Sequence, residues 1–125
     1  MPRPTRRWTR PKTQPSRTAA WTSTQARQTG ALLVHYSSDY VFDGSGDEPR
    51  DEEAQPGSES LYGESKAAGD FAIQSSGCVH LILRTSWVYG ARGGNFAKTM
   101  LRLAREREEL RVVADQIGAP TGADL

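Results

Sequence analysis

The amino-acid sequence predicts an α/β protein with one parallel sheet flanked by helices. From Gly30 to the C-terminus, short apolar runs alternate with stretches of helical periodicity in the order strand, helix, strand, helix, strand. The apolar runs are nearly continuous, which is typical of strands buried on both faces of a parallel sheet. Strands of this kind are joined by right-handed crossovers. With 125 residues the chain is long enough for one such domain.

The first strand is predicted at residues 31–36, an apolar run that stops at a polar triplet. Residues 43–58 are acidic and rich in glycine and proline, so we expect a surface loop. A helix is predicted from about residue 60 to residue 75, with Ser58 or Ser60 as its N-cap and Gly77 at its end. Its apolar stripe is predicted to contain Leu61, Ala68, Phe71 and Ala72.

The second half of the pattern begins with a strand predicted at residues 79–83 and continued by residues 87–89. A glycine-rich loop at residues 90–94 leads to Asn95, which is a favourable N-cap for the second helix. Residues 110–113 are predicted to form a short third strand. The sequence thus provides the strands and helices of a parallel sheet with flanking helices.

Residues 1–29 differ in composition from the rest of the chain. They contain seven basic side chains, no acidic one and four prolines, with few apolar residues. Such a segment buries too little surface to offset the entropy of ordering it. We therefore expect residues 1–29 to be a disordered or non-native extension of a domain formed by residues 30–125. A nucleic-acid-binding arm and a transit peptide are alternatives, because both are rich in arginine.

Composition excludes several classes of protein. No apolar run approaches the roughly 18 residues of a membrane-spanning helix, and no apolar region of a secretory signal is found. Cys78 is the only cysteine, which excludes an internal disulfide and a multi-cysteine metal site. His35 and His80 lie in predicted strands and are expected to be structural, so no metal site is predicted. We expect a soluble, cytoplasmic protein that binds neither membranes nor nucleic acid.

Tyr62 and Lys66 form the most informative motif. In a helix, residues four apart lie on the same face, with about 5–6 Å between their Cβ atoms. The ammonium of Lys66 favours the phenolate of Tyr62, so the phenol can give or take a proton closer to neutral pH. The hydroxyl of Ser38, at the end of the first strand, could hold a substrate carbonyl against this phenol. The structural alternative is that Tyr62 packs on the sheet and Lys66 is solvated.

Polar residues follow or interrupt each predicted strand. They occupy residues 37–39, 84–86 and 115–116. In open parallel sheets, ligands bind at the carboxyl ends of the strands. These three groups therefore predict a binding site at that edge.

Five blocks of sequence point to a known family. They read HYSSDYVFDG (35–44), LYGESKAAGD (61–70), LILRTSWVYG (81–90), GNFAKTMLRLA (94–104) and DQIGAPTGADL (115–125). In this order they resemble the dTDP-4-dehydrorhamnose reductase family, within the extended short-chain dehydrogenase/reductase superfamily. The resemblance implies a Rossmann-type fold. It also implies an oxidoreductase of dTDP-rhamnose biosynthesis that transfers a hydride from NADPH or NADH to a 4-keto nucleotide sugar.

The resemblance implies roles for individual residues. Tyr62 would donate a proton to the substrate carbonyl, and Lys66 would hold the nicotinamide ribose. Tyr36 matches a third position that contacts the cofactor. Asp124 matches an acid that, in some members, takes part in a metal-bridged dimer, which implies Mg²⁺ at the interface of a homodimer. The positions that match substrate contacts are Ser38, where the family most often has threonine, Asp39 and Trp87.

The sequence departs from the family at both ends. It lacks the glycine-rich turn that lets a helix N-terminus approach the cofactor pyrophosphate. The last matching block ends where the family continues into its C-terminal substrate-binding portion. We therefore expect a central fragment that is inactive by itself. Two alternatives are a non-catalytic partner protein, like the regulatory beta subunit of methionine adenosyltransferase, and another extended family member, such as a sugar-nucleotide epimerase or dehydratase.

Overall fold

The computed structural model describes residues 14–124, with side chains from residue 17 onward. The elements in chain order are α1 (Gln14–Thr29), β1 (Leu33–Ser38), a 3₁₀ turn (Asp39–Val41), α2 (Leu61–Ser76), β2 (His80–Tyr89), α3 (Phe96–Glu106) and β3 (Pro120–Gly122). The strands form one sheet in the order β1-β2-β3, and both neighbouring pairs are parallel. The predicted fold class, a parallel sheet with flanking helices, is confirmed.

Helix α1 lies in the N-terminal segment that was predicted to be disordered. It packs on α2 through a face of small side chains, in which Ala19, Ser23 and Ala26 are buried at helical spacing. These side chains bring two helix backbones close together without forming a conventional apolar stripe. The prediction of disorder is therefore wrong for residues 14–29, whereas residues 1–13 lie outside the described part of the chain.

Helix α1 ends at Thr29, next to the point at which the composition changes. Gly30 has a φ of +69°, the left-handed conformation that commonly closes helices. The N–H of Ala31 donates to the carbonyl of Ala26 at 3.0 Å. Nη1 of Arg27 donates to the carbonyl of Ser76, the last residue of α2, at 3.1 Å. Helix α1 is therefore joined to the rest of the fold at its C-terminal end.

Helices α1 and α2 cover one face of the sheet. Ile73 and Cys78 form a small core with the alanines of α1, and Leu33 and Ile82 pack against it from the strands. The alternate residues of the same strands are exposed on the opposite face, where Val34 is paired with Leu81 and Tyr36 with Leu83. The core is thus confined to the side of the sheet on which the two helices lie.

Helix α2 has the predicted caps but not the predicted buried face. The Oγ of Ser60 accepts the N–H of Gly63 at 3.0 Å, and Gly77 ends the helix with a φ of +71°. Leu61 and Phe71 are exposed, so the predicted apolar stripe is wrong. The buried residues are Gly63, Ser65, Gly69, Asp70 and Ile73. The reason is that this face packs on α1 and the sheet, where close backbone approach requires small side chains.

The second half of the sheet differs from the prediction in two places. Strand β2 is continuous, so residues 84–86 lie within it and do not interrupt it. Residues 110–113 are not part of a strand, and the third strand is instead Pro120–Gly122, which pairs with the C-terminal half of β2. Helix α3 begins after Asn95, whose Oδ1 accepts the N–H of Lys98 at 3.0 Å, as the cap prediction required.

Candidate functional site

The candidate site lies where β1 ends and α2 begins. Ser38 caps the 3₁₀ turn that follows β1, since its Oγ accepts the N–H of Tyr40 at 3.2 Å. Val41, in the same turn, is fully buried and anchors it. The first turn of α2 packs on it, and the rings of Tyr40 and Tyr62 meet edge to face with centroids 5.9 Å apart. The structure therefore brings the end of β1 and the predicted tyrosine motif into one region.

Gly63 permits this close approach. A Cβ atom at this position would overlap the carbonyl of Tyr40 and the Oγ of Ser58. Neither group is the free end of a flexible side chain, because the carbonyl belongs to the backbone and the serine Oγ bonds to Ser60. The glycine between the motif tyrosine and the rest of α2 is thus required by packing.

Tyr62 and Lys66 lie one turn apart in α2, as predicted. Tyr62 is exposed, whereas Lys66 is half-buried and its Nζ donates to the carbonyl of Tyr36 at 2.5 Å. The ammonium is therefore tied to β1 and is not freely solvated. The side chain of Tyr36 is exposed on the bare face of the sheet. An accessible phenol and a fixed ammonium can together donate a proton and bind hydroxyl groups.

Asp39 connects the end of β1 with β2. Its Oδ1 accepts a hydrogen bond of 3.0 Å from the Oγ of Ser38, and its Oδ2 accepts one of 2.6 Å from the Oγ of Ser86. Both serines are buried, and Asp39 is half-buried. The hydroxyl hydrogen of Ser38 is therefore engaged by Asp39. Before Ser38 can donate to a substrate carbonyl, it must exchange this bond.

Trp87 lies next to this connection and has unusual backbone geometry. Its φ is +43°, the one positive φ of a non-glycine residue among residues 14–124. The parallel pairing of β2 with β3 is irregular between Ser86 and Tyr89, where this residue lies. The indole packs at Gly118, where a Cβ atom would come within 3.2 Å of the ring. Trp87 thus combines an irregular backbone with a ring that packs at Gly118.

A buried polar cluster beneath the site was not predicted. The side chain of Asp70 accepts a 2.7 Å hydrogen bond from Ser37 Oγ and lies 3.4 Å from His35 Nε2 and 3.9 Å from Arg84 Nε. Burial lowers the pKa of His35 from its ordinary value and the charge of Lys66 acts in the same direction, while Asp70 opposes them. The sequence did contain a signal for this cluster, since Asp70 lies one turn after Lys66 on the same helix face.

The remaining predicted polar positions lie in the C-terminal part of the described residues. Asp115 and Gln116 are exposed in a segment without regular structure, so they do not follow a strand as predicted. Asp124 is exposed beyond β3. Within the described part of the chain, no group of three His, Cys, Asp or Glu side chains could hold a metal ion. The role of Asp124 at a metal-bridged interface stays a prediction.

The surface around Tyr62 is open. Two clefts lie elsewhere among the described residues, one lined by α3 and the segment after it and the other by Asp70, Phe71, Arg84 and the acidic loop. Tyr62 and Lys66 line neither of them. The helices of the described residues are a separate matter from these clefts. None of the helices in residues 14–124 combines the length and the apolar character needed to cross a membrane.

The sequence matches a known family model and curated proteins. The model is the RmlD substrate binding domain, and it matches residues 15–125. The chain is 58% identical over 100 residues to the dTDP-4-dehydrorhamnose reductase of Escherichia coli (strain K12), a region that covers 80% of this chain and 33% of that protein. It is 47% identical over 103 residues to the spore coat polysaccharide biosynthesis protein SpsK of Bacillus subtilis (strain 168), covering 82% and 36%. The chain thus spans about a third of the length of these curated relatives.

Solved structures have the same fold as the chain. The dTDP-4-dehydrorhamnose reductase of Bacillus anthracis, in complex with NADP, superposes with a TM-score of 0.77 at 47% identity, covering 83% of this chain and 37% of that one. The corresponding protein of Clostridium acetobutylicum superposes with a TM-score of 0.74 at 41% identity, covering 86% and 37%. The Rossmann-type sheet predicted from the sequence is confirmed.

Proposed function

The chain belongs to the family of the RmlD substrate binding domain, and on this basis we propose that it forms the catalytic centre of an NAD(P)H-dependent reductase acting on a 4-keto nucleotide sugar. The substrate proposed is dTDP-4-dehydrorhamnose, after the name of the relatives. The observation that carries the proposal is the junction of β1 and α2. There the exposed phenol of Tyr62 packs on Tyr40, whose N–H donates to the buried hydroxyl of Ser38. The ammonium of Lys66, one helical turn after the phenol, is tied to the last part of β1.

Tyr62 is the proton donor in this proposal. Its phenol is accessible and is held at the first turn of α2 by the Tyr40 ring and by the close approach at Gly63. Reduction of a ketone adds a hydride to the carbonyl carbon and a proton to the carbonyl oxygen. The phenol supplies this proton, and Ser38 accompanies it by donating a hydrogen bond to the same oxygen. The product is the corresponding alcohol.

The residues present fit the nicotinamide end of the cofactor. Bound NADPH or NADH would supply the hydride. Lys66, tied to the Tyr36 carbonyl, offers its remaining N–H groups to ribose hydroxyls, and the exposed Tyr36 side chain is available beside this strand end. The pyrophosphate end has no comparable match, since the 125 residues contain no glycine-rich fingerprint.

Asp39 and Trp87 are proposed to contact the sugar nucleotide. Asp39 is half-buried beside Ser38, and Trp87 presents a partly exposed ring after Ser86. A carboxylate and an aromatic face together suit the hydroxyl groups and apolar face of a sugar. We further propose a cytoplasmic homodimer without nucleic-acid or membrane partners, in which Asp124 would lie near a Mg²⁺ ion.

The proposal can be tested in a chimera. The segment of the Escherichia coli reductase that matches this chain is replaced by the chain's own residues, and oxidation of NADPH by dTDP-4-dehydrorhamnose is followed by absorbance. We expect turnover, and Tyr62→Phe should lower kcat by roughly 10²–10⁴-fold, because the ring stays and the proton is lost. Tyr89→Phe, on an exposed tyrosine outside the motif, is the control.

Two results would contradict the proposal. Tyr62→Phe at the parental rate would remove the proton donor. The Escherichia coli enzyme is assayed in parallel. If it is active and the chimera folds but does not turn over, the result would instead indicate that the chain is part of a non-catalytic partner protein. For the 125-residue chain alone we expect no turnover, because it lacks a cradle for the pyrophosphate and mispositioning by even 1 Å can cost about 10²-fold.

A further inference from the structure

Ser86 has no assigned role at this site, yet it bonds to the residue that engages Ser38. We propose that Ser86 is a positioning residue, which fixes the Asp39 carboxylate so that the hydroxyl of Ser38 can turn from Asp39 to the substrate carbonyl. This inference rests on the proposed reductase function.

The geometry around Ser86 leaves its hydroxyl little freedom. The residue is buried, and its Oγ donates to Asp39 at 2.6 Å. Its backbone N–H donates to the Oγ1 of Thr121 in β3 at 3.2 Å, which holds the strand at this point. A Cβ atom at Gly118 would lie 3.1 Å from the Ser86 Oγ, so the β3 side is closely packed as well. The Ser86 hydroxyl that donates to Asp39 is therefore held in one position.

The two oxygens of the Asp39 carboxylate accept hydrogen bonds from different serines. One of these bonds can therefore be broken while the other still holds the carboxylate. Oδ1 accepts from Ser38, which is next to it in the chain, whereas Oδ2 accepts from Ser86 on a different strand. When Ser38 turns to a substrate, Asp39 loses one bond and keeps the other. Because hydrogen bonds to an ionised carboxylate are short and strong, the remaining bond holds the carboxylate in place. Without Ser86, the half-buried Asp39 would lose the hydrogen bond that it accepts from β2.

A purely structural role makes a different prediction. If Ser86 only satisfies a buried carboxylate, its loss lowers the stability of the fold and leaves turnover by the folded protein unchanged. If Ser86 positions Asp39, its loss also lowers kcat, because Ser38 is no longer released in the correct orientation. The two roles are therefore separated by kcat measured on folded protein.

The first arm of the test uses the full chain and needs no activity. Ser86→Thr keeps the hydroxyl, and Ser86→Val has nearly the same shape without it. Amide hydrogen exchange of Tyr40, whose N–H donates to Ser38 Oγ, should be about tenfold faster in Ser86→Val than in Ser86→Thr, since one charge-assisted bond is lost. Exchange at Ile73 in the core should be equal in both. Ser45→Ala is the matched control, because that hydroxyl also bonds to a carboxylate, Asp43, but on an exposed loop.

A double-mutant cycle establishes whether Ser86 and Asp39 act together. Asp39→Asn should accelerate Tyr40 exchange as Ser86→Val does, and the double variant should show no additional acceleration. Additive effects would overturn the proposed connection. Equal Tyr40 exchange in the valine and threonine variants would also overturn it.

The second arm uses the chimera. Ser86→Val should lower kcat by about tenfold with little change in KM, whereas Ser86→Thr should keep the parental kcat. An active parent chimera with equal kcat in both variants would refute the positioning role alone. An inactive parent chimera would refute the proposed function, and with it the catalytic role of Ser86.

Discussion

The hydroxyl of Ser37 donates a 2.7 Å hydrogen bond to Asp70, whose side chain is almost completely buried between α2 and β1. A second bond joins the same two elements one turn earlier in α2, where Lys66 donates to the Tyr36 carbonyl. The end of β1 is therefore tied to α2 at two consecutive residues, Tyr36 and Ser37. Because Ser38 and Tyr62 lie on these two elements, their relative position depends on these bonds.

Replacing Asp70 with asparagine should destabilise the fold. The substitution keeps the shape but removes the charge that faces Arg84 and His35, so we expect a loss of about 1.5–3 kcal/mol, as for hydrogen bonds to charged groups. Urea unfolding measures this loss. Asp47→Asn, on an exposed acid, is the control, and equal unfolding midpoints in the two variants would contradict the role given to the buried carboxylate.

Two glycines of α2 should respond oppositely to alanine. Gly63→Ala places a methyl group against the Tyr40 carbonyl and Ser58, so we expect a loss of about 1–3 kcal/mol from overpacking. Gly69→Ala meets only ordinary contacts, the nearest being Ala19 Cβ at 3.6 Å. It should be neutral or stabilising by up to about 1 kcal/mol, because alanine favours helix. The midpoints of urea unfolding compare the pair, and the prediction fails if Gly63→Ala is the more stable variant.

The stability of the fold should fall below about pH 6.5 through His35. The folded state holds the pKa of His35 below its ordinary value, chiefly by burial and with the Lys66 charge in addition, against the opposing effect of Asp70. The unfolded chain therefore binds a proton more readily, and stability is lost as the pH falls from the unfolded pKa through the folded one. Above the unfolded pKa the contribution is constant.

The contribution of His35 can be isolated by substitution. Unfolding midpoints at about pH 7.5 and about pH 5.5 bracket the ordinary histidine pKa, and His35→Gln should reduce the difference between them. His80→Gln serves as the comparison, since His80 lies outside the Asp70 cluster. A difference that His35→Gln leaves unchanged would assign the pH dependence to other groups.

Helix α1 should depend on its small buried face. Ala26→Glu places a carboxylate between α1 and α2, and burying an unpaired charge is strongly unfavourable. We expect amide exchange in residues 17–29 to accelerate by at least about tenfold. Gln25→Glu introduces the same side chain one position earlier, where the helix is exposed. If both variants keep the parental exchange rates, the result contradicts the packing of α1 on α2 described above.

The elements with local chemical signals were predictable. Ser60, Gly77 and Asn95 each marked a helix end, because a side-chain acceptor or a left-handed glycine satisfies the terminal backbone groups wherever the helix packs. The presence of β1 and β2 followed from their apolar runs. The approach of Tyr62 and Lys66 on α2 followed from helix geometry, although their catalytic roles remain predictions.

Other features depended on tertiary contacts that the pattern did not contain. Residues 14–29 were misinterpreted because alanine and serine at helical spacing form a packing face only when another helix of small residues lies against them. The buried face of α2 was predicted wrongly for the same reason, because its small residues are buried only through their contact with α1 and the sheet. Residues 110–113 are apolar enough for a strand, but strand formation requires a neighbouring edge, and β3 occupies the pairing with β2 instead. The Ser86 connection required knowledge of which strands lie side by side.

The left-handed backbone at Trp87 affects how this protein responds to selection for stability. A non-glycine residue in that conformation costs roughly 1–2 kcal/mol, whereas glycine adopts it freely. A library selected only for resistance to heat or proteases should therefore enrich glycine or asparagine at position 87, and each such variant lacks the indole. Stabilised forms obtained in this way would lose the aromatic surface beside Asp39.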